Sequence, residues 1–313
     1  MNKKEALKIL YETLGNHNQT SKNEYYFKCP ACNHRKYKLA INLDKNAFHC
    51  WICDYRGRNL RRLIRRFGSY VQLHKWDAIS DRTDLEKFAD LFMERRVEEN
   101  TPKVEIPEEF VSLCSEKIPA TGVYALKYLK ERKITKADIL KWKIGYCFSG
   151  EYRNRIIIPS FDDNGDCSYF IARSYTGDSY KYKNPRAPKD IVFNELFIDW
   201  NKDLVLVEGV FDALVAGNAV PILGSTLRAG SELLRKIVRN DTPVYVALDP
   251  DAAEKERRII KMLLEYDIEL YKIDVSGYED VGSMPKEVFE ERKNNASFID
   301  RDNYLLLNLL SAV

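Results

Sequence analysis

The sequence predicts an α/β protein with a small β-rich head, and three observations carry that prediction. Residues 29–53 hold two Cys-x-x-Cys pairs, Cys29/Cys32 and Cys50/Cys53, with 17 residues between them. From Leu204 to Val275, runs rich in Val, Leu and Ile alternate with helical periodicity, the pattern of strands buried on both faces of a parallel sheet. Charge is divided along the chain: residues 1–75 carry 16 Lys/Arg against 5 Asp/Glu, net +11, leaving 34 against 42, net −8, for the rest.

At 313 residues, with 45% hydrophobic and 31% charged residues, the chain reads as a soluble globular protein of one large or two to three modest domains. No apolar run approaches the roughly 18 residues that span a bilayer. The opening, MNKKEALKIL, reads as an amphipathic helix without a signal peptide's apolar core, so the cysteines are expected in a reducing cytoplasm and no membrane is expected as partner. All four histidines (His17, His34, His49, His74) lie in the basic head. Chemistry beyond it therefore rests on carboxylates, Lys, Arg, Tyr or Ser.

The spacing of the two cysteine pairs is that of a structural zinc site, in which each pair makes a tight knuckle and four thiolates close a tetrahedron. Two disulfides or four buried thiols are the alternatives, and His34 or His49 is near enough to replace one cysteine. Four protein ligands leave no open position, so such an ion holds the fold rather than catalyses. Tyr37–Leu43 and Ala47–His49 read as strands around a turn at 44–46, with Tyr25–Lys28 before the first pair, making a zinc ribbon. Tyr25, Phe27, Lys28, Lys36, Lys38, Phe48 and Trp51 interleave rings and positive charge, which suits unpaired bases and their phosphates; about half of these rings are equally expected in the head's own core. Arg56, Arg58, Arg61, Arg62, Arg65 and Arg66 follow on an expected helix with Leu60, Leu63, Ile64 and Phe67 inside. With Asp54 the only acid nearby, phosphate contact is favoured over a merely solvated face.

A helix is expected over Asp81–Val97, then a hydrated linker from Glu98 to Glu109 with Pro102 and Pro107, then two short helices at 125–129 and 136–142. Cys114, Cys147 and Cys167 lack metal spacing and are expected to be buried. In the core, Leu204–Val207 ends in Glu208-Gly209, and Val244–Leu248 ends in Asp249-Pro250-Asp251. Parallel sheets bind ligands beyond the carboxyl ends of their strands, where these three acids fall. Converging carboxylates repel, and oxygen-only ligands select Mg²⁺ or Mn²⁺. If the chain stays extended there, Asp249 and Asp251 point to one side. Asp251-Ala-Ala-Glu254 is also a capping-box pattern, and Asp212 is also an ordinary first-turn helix acid.

Val207-Glu208-Gly209-Val210-Phe211-Asp212-Ala213, Leu223-Gly224-Ser225-Thr226 and Ala247-Leu248-Asp249-Pro250-Asp251-Ala252-Ala253 resemble the Toprim domain of DnaG-type primases. Arg153 to Pro159, Gly165 to Arg173 and Lys181-Tyr182-Lys183-Asn184-Pro185 are similar to the same enzymes' amino-terminal polymerase subdomain. The zinc ribbon ahead matches the family order, so the likeness covers residues 25–285. Four cysteine ligands and compact length look most like the primases of large tailed bacteriophages, which puts the protein in a host cytoplasm if it is viral.

The resemblance implies this organisation: a zinc-ribbon DNA-binding domain at 1–75, helix and linker at 76–110, an α+β polymerase subdomain at 111–200, a Toprim α/β subdomain at 201–285 and a helical segment at 286–313. It implies RNA primer synthesis from NTPs on single-stranded DNA, with Glu208, Asp249 and Asp251 catalytic and holding Mg²⁺ or Mn²⁺ and Asp280 as a later metal ligand. Asp274 and Glu279 stand where a further acid is expected. Arg155, Arg173, Lys181 and Asn184 fall on positions for nucleotide and template phosphates, and Lys36, Lys38, Trp51, Arg61 and Arg62 on the DNA-binding head. No G-x-x-x-x-G-K-[ST] motif is present, so a replicative helicase is expected in trans; the apolar tail from Phe289 either docks on it or packs on its own domain. Another Toprim enzyme, a nuclease or topoisomerase, and a non-catalytic zinc-ribbon single-stranded-DNA-binding accessory protein are the alternatives.

Overall fold

The computed structural model describes residues 2–21, 24–80, 104–178, 180–223, 227–228, 230–266, 268–300 and 303–304. The chain divides into two compact units, Met1–Met93 and Glu94–Val313. The helix expected over 81–97 and the first part of the linker fall outside the described residues.

The first unit opens with α1 (Lys3–Leu14), started by Asn2, whose side chain accepts from the Lys4 N–H at 3.2 Å. Ala6, Ile9 and Leu10, spaced on one helical face, are its buried residues. Strands β1 (His17–Ser21), β2 (Glu24–Lys28), β3 (Tyr37–Asn42), β4 (Ala47–Cys50) and β5 (Arg56–Gly57) form an antiparallel sheet in chain order. Then come α2 (Leu60–Phe67) and α3 (Tyr70–Ile79), the latter begun by a Ser69/Gln72 capping box. One core joins α1 to Phe27, Leu39, Ile41, Phe48, Leu60, Leu63, Ile64 and Trp76. Phe27 and Phe48 are thus core residues and not stacking faces.

The arginine run is only partly a surface. Arg56 sits in β5 and Arg58 precedes the helix. Arg61 is buried, and its Nε and Nη2 donate to the two Asp77 carboxylate oxygens at 2.6 and 2.8 Å. Arg62 is also buried, its guanidinium near the Tyr55 ring, 6.0 Å from the centroid. Both are therefore withdrawn from the DNA-facing set: Asp77 lies 16 residues beyond Arg61, on α3, where a search for nearby acids does not reach. Asp77→Asn should leave the Arg61 charge buried against a neutral amide, with an expected loss of about 3–5 kcal/mol in the unfolding of this unit by denaturant.

In the second unit, β6 (Val111–Ser112), β7 (Gly145–Cys147), β8 (Arg155–Phe161) and β9 (Cys167–Ser174) make an antiparallel sheet in that order. Between β6 and β7 lie α4 (Val123–Glu131) and α5 (Lys136–Lys141). The chain then winds through β10 (Leu204–Val207), α6 (Val210–Ala216), β11 (Ala219–Pro221), α7 (Glu232–Asn240), β12 (Val244–Ala247), α8 (Ala253–Glu265), β13 (Leu270–Lys272), α9 (Lys286–Asn294) and β14 (Ser297–Ile299). The sheet order is β11-β10-β12-β13-β14, parallel except for the last pair. Every residue of β10 is fully buried, as its unbroken apolar run requires.

Residues 286–313 were expected to be helical, but the described part adds an antiparallel edge strand, β14, to this sheet. Phe289 of α9 is fully buried in the unit's core, so this part of the tail packs on its own unit, and residues 305–313 lie outside the described set. Cys147 is buried as expected, whereas Cys114 and Cys167 are only half-buried. Among the described residues no helix is long and apolar enough to cross a membrane.

Candidate functional site

In the first unit, Cys29, Cys32, Cys50 and Cys53 bring their sulfurs within 4.8 Å of one another. Cys29 and Cys53 Sγ are 3.8 Å apart, and Cys32 and Cys50 Sγ 3.9 Å. Zinc–sulfur bonds of about 2.3 Å set tetrahedron edges of about 3.8 Å, so the donor set fits zinc. The two knuckles share one geometry. Asn33 and Asp54 both have positive φ, 49° and 56°, and their N–H groups donate to the carbonyls of Cys29 and Cys50 at 2.9 and 3.0 Å. Asn and Asp tolerate that conformation better than other non-glycine residues. Burial pushes the Cys29 thiol up to about 12. At Cys50, burial is outweighed by the N–H groups of Cys53 and Ile52, and the thiol lies below its ordinary value. Neither histidine joins the sulfurs: His34 Nδ1 accepts from the Lys36 N–H, and His49 pairs with Asp54 at 2.7 Å and lies 4.3 Å from the Trp51 ring. Lys36, Lys38 and Trp51 are exposed, Trp51 at 63%.

In the second unit, β10 and β12 are neighbours with Val207 opposite Ala247, so Glu208 and Asp249 leave adjacent strand ends side by side. Asp251 follows in a short 3₁₀ turn at Pro250–Ala252 instead of the extended chain expected, and this turn still brings it in: Glu208, Asp249 and Asp251 place carboxylate oxygens within 4.8 Å of one another. The capping alternative for Asp251 fails, since the N-cap of α8 is Ala252 and no side chain caps the helix. Asp249 Oδ1 is buried with no hydrogen-bond partner, an acceptor that fits a cation. Lys255, from α8, donates to Glu208 Oε1 at 2.7 Å and supplies part of the countercharge.

Asp212 is where its first-turn pattern put it. Its Oδ2 accepts from the Gly209 N–H at 2.7 Å, and its Oδ1 reaches across to the Gly282 N–H at 2.8 Å. Asp280 lies outside the three-carboxylate group but lines the same cleft; its Oδ1 accepts from the Ser283 N–H at 2.7 Å and caps the turn there. The Asp280/Ser283 spacing carried that signal. Asp274 is held by Ser276 in the same local way, and Glu279, like Asp280, lines the cleft. A Cβ on Gly282 would stand 2.9 Å from Asp212 Oδ1, and Asp212 is fixed by two N–H groups, so Gly282→Ala should cost roughly 1–3 kcal/mol in a melting experiment.

Burial first, then the charges of Asp212, Glu208, Asp280 and Asp251, raise Asp249 to about 7. Burial raises Asp212 to about 6, against the two N–H groups it accepts from. A carboxyl whose folded value is raised holds its proton more tightly folded than unfolded. Without metal, the stability these two carboxyls contribute is therefore fully present at acid pH and is lost as pH rises from about 4 towards 7. A cation competes for the same oxygens, so Mg²⁺ should raise the melting temperature at pH 8 and have little effect at pH 5.5, a pattern that thermal scans at both values check.

Glu208, Asp212, Asp249, Glu279 and Asp280 form one wall of a cleft of about 750 Å³; Arg132, Lys133, Arg173, Lys181 and Asn184 line it too. Asn184 is fixed by accepting from the Ala172 N–H at 3.2 Å. Arg155 is not a lining residue. It is buried, donates to the Tyr180 and Lys181 carbonyls and stands 3.8 Å from Asp178, so it anchors these residues and is not presented to phosphate. Lys255, Arg132 and Lys133 are site residues that the sequence reading missed; Lys255 carries a signal in hindsight, four residues after Asp251 on an amphipathic helix.

No family model matches the chain. It is 23% identical over 300 residues to a DNA primase of Listeria innocua, covering 75% of this chain and 47% of that one. To a DNA primase of Lactococcus lactis it is 22% identical over 311 residues, covering 82% and 48%. The chain spans about half the length of these relatives. Among solved structures it is similar to a DnaG primase catalytic domain bound to single-stranded DNA, with a TM-score of 0.54, 20% identity, and coverage of 62% of this chain and 78% of that one. The fold is that of the DnaG catalytic core, and the sequence likeness runs to the same enzymes.

Proposed function

We propose that the chain is a DNA primase, joining ribonucleoside triphosphates into short RNA primers on a single-stranded DNA template. The observation that carries this is the cleft itself: Glu208 and Asp249, which converge with Asp251 at adjacent parallel strand ends, line it, and a wall of unlike charge shares the same hollow. Glu208, Asp249 and Asp251 would hold Mg²⁺ or Mn²⁺; when bound, such an ion polarises the α-phosphate and favours the ionised 3′-hydroxyl. Arg132, Lys133, Arg173 and Lys181 offset the charge of the triphosphate and of the departing pyrophosphate. Asn184, which lines the same cleft, would orient one of the triphosphate oxygens. The zinc-type head, with Trp51, Lys36 and Lys38 exposed, suits contact with unpaired bases and their phosphates. A replicative helicase acting in trans is the protein partner this reading implies.

The test is incubation of the purified chain with single-stranded DNA, the four NTPs and Mg²⁺, with the helicase supplied in a second series. Short RNA products are expected. Nicked or relaxed DNA would instead indicate a nuclease or topoisomerase, and DNA binding without any product would indicate an accessory protein.

A further inference from the structure

Two arginines of the cleft's basic wall are organised by one phenol oxygen. Tyr128, on α4, does not line the cleft, yet its hydroxyl accepts from two residues that do: Arg132 Nε at 2.9 Å and Arg173 Nε, from β9, at 3.0 Å. Both lone pairs of that oxygen are thereby engaged by guanidinium groups. Each guanidinium is also stacked. Arg132 lies 4.9 Å from the Phe211 ring centroid and 5.1 Å from that of Tyr128, and Arg173 lies 4.7 Å from that of Tyr182. The stack fixes the plane of each fork and the Nε bond fixes one edge; Arg173 also bonds the Tyr182 side chain, and both arginines line the cleft, where a ligand would meet their Nη groups. Among the described residues neither arginine has a carboxylate partner, so two uncompensated charges stand together in a cleft whose other wall is acidic.

We infer that Tyr128 is a positioning residue that couples Arg132 and Arg173 into a two-guanidinium clamp for the triphosphate of the incoming nucleotide, an inference that rests on the proposed nucleotidyl transfer. Planar forks recognise phosphate oxygens bidentately, and two held side by side match a segment that concentrates several negative charges. A nucleic-acid backbone offers one charge per nucleotide and uses such a pair less completely. The tyrosine contributes direction and no charge, because Tyr128→Phe keeps the ring beneath Arg132 and frees both Nε groups to rotate.

The experiment measures binding of inorganic tripolyphosphate to the full chain by calorimetry, without added divalent cation, beside binding of single-stranded DNA and primer synthesis. Tyr128→Phe should weaken tripolyphosphate binding roughly ten-fold, the loss expected when hydrogen bonds to charged groups are removed. It should raise KM for NTPs in similar measure, with kcat, DNA affinity and melting temperature close to wild type. Arg132→Lys keeps the charge and removes the Nε contact, so Tyr128→Phe should cost less in that background than in the wild type. Wild-type tripolyphosphate affinity in Tyr128→Phe overturns the clamp, and so does an equal loss of tripolyphosphate and DNA binding with a lowered melting temperature. If the wild-type chain makes no RNA but Tyr128→Phe still loses tripolyphosphate, the reaction fails and the clamp stands. If RNA is made and Tyr128→Phe behaves as wild type, the clamp fails and the reaction stands.

Discussion

Asp249→Ala should reduce RNA synthesis by roughly 10³-fold or more, since it removes the central member of the group proposed to place the cation that offsets developing charge. Asp249 stands beyond the end of β12 beside Glu208 at the end of β10, and its Oδ1 is a buried acceptor with nothing donating to it. Its removal also relieves a cluster whose members raise one another's proton affinity, so the variant should fold at least as stably as the wild type at pH 8 without metal. Binding of single-stranded DNA should stay within about two-fold, because the expected template contacts are basic and aromatic. Asp280→Ala is the contrasting case. Asp280 caps its own turn and stands outside the carboxylate group, so its loss should cost far less synthesis than that of Asp249. Rates of primer formation on one template, measured side by side, check both.

The second large effect belongs to the head. Cys50→Ser should take the zinc content from one ion per chain to almost none. Structural zinc sites contribute on the order of 10 kcal/mol to folding, more than most small cores supply. Cys50 ends β4, and its knuckle fixes Trp51 and Ile52 at the surface, so the loss should disorder the exposed ring along with the metal. Elemental analysis together with the melting of the first unit checks this. An unchanged metal content would remove the ligand assignment.

How much of this was readable in advance depended on range. The cysteine knuckles were legible because each is made within five residues, and the strand-end acids because an apolar run followed by Glu or Asp marks where a parallel sheet ends. Arg61 was misplaced because its partner, Asp77, is on another helix, and Arg155 because the carbonyls of Tyr180 and Lys181, 25 and 26 residues on, come back onto it. Both appear on paper as exposed positive charge. The pairing of Tyr128 with Arg132 is an i,i+4 contact within reach of a sequence reading, but its joining to Arg173 depends on how β9 packs beside α4. Asp280 had the spacing of a cap, which its Oδ1 makes, and it also lines the cleft to which the family likeness assigned it.

The central claim is that Glu208, Asp249 and Asp251 act as one cation site. Manganese titration of the wild type and of Asp249→Ala, followed by electron paramagnetic resonance and by manganese anomalous density in soaked crystals, tests it most directly. The account predicts an ion bonded to oxygens of all three residues at about 2.2 Å in the wild type and none in the variant. Density elsewhere in the cleft, or equal binding by both proteins, would contradict it.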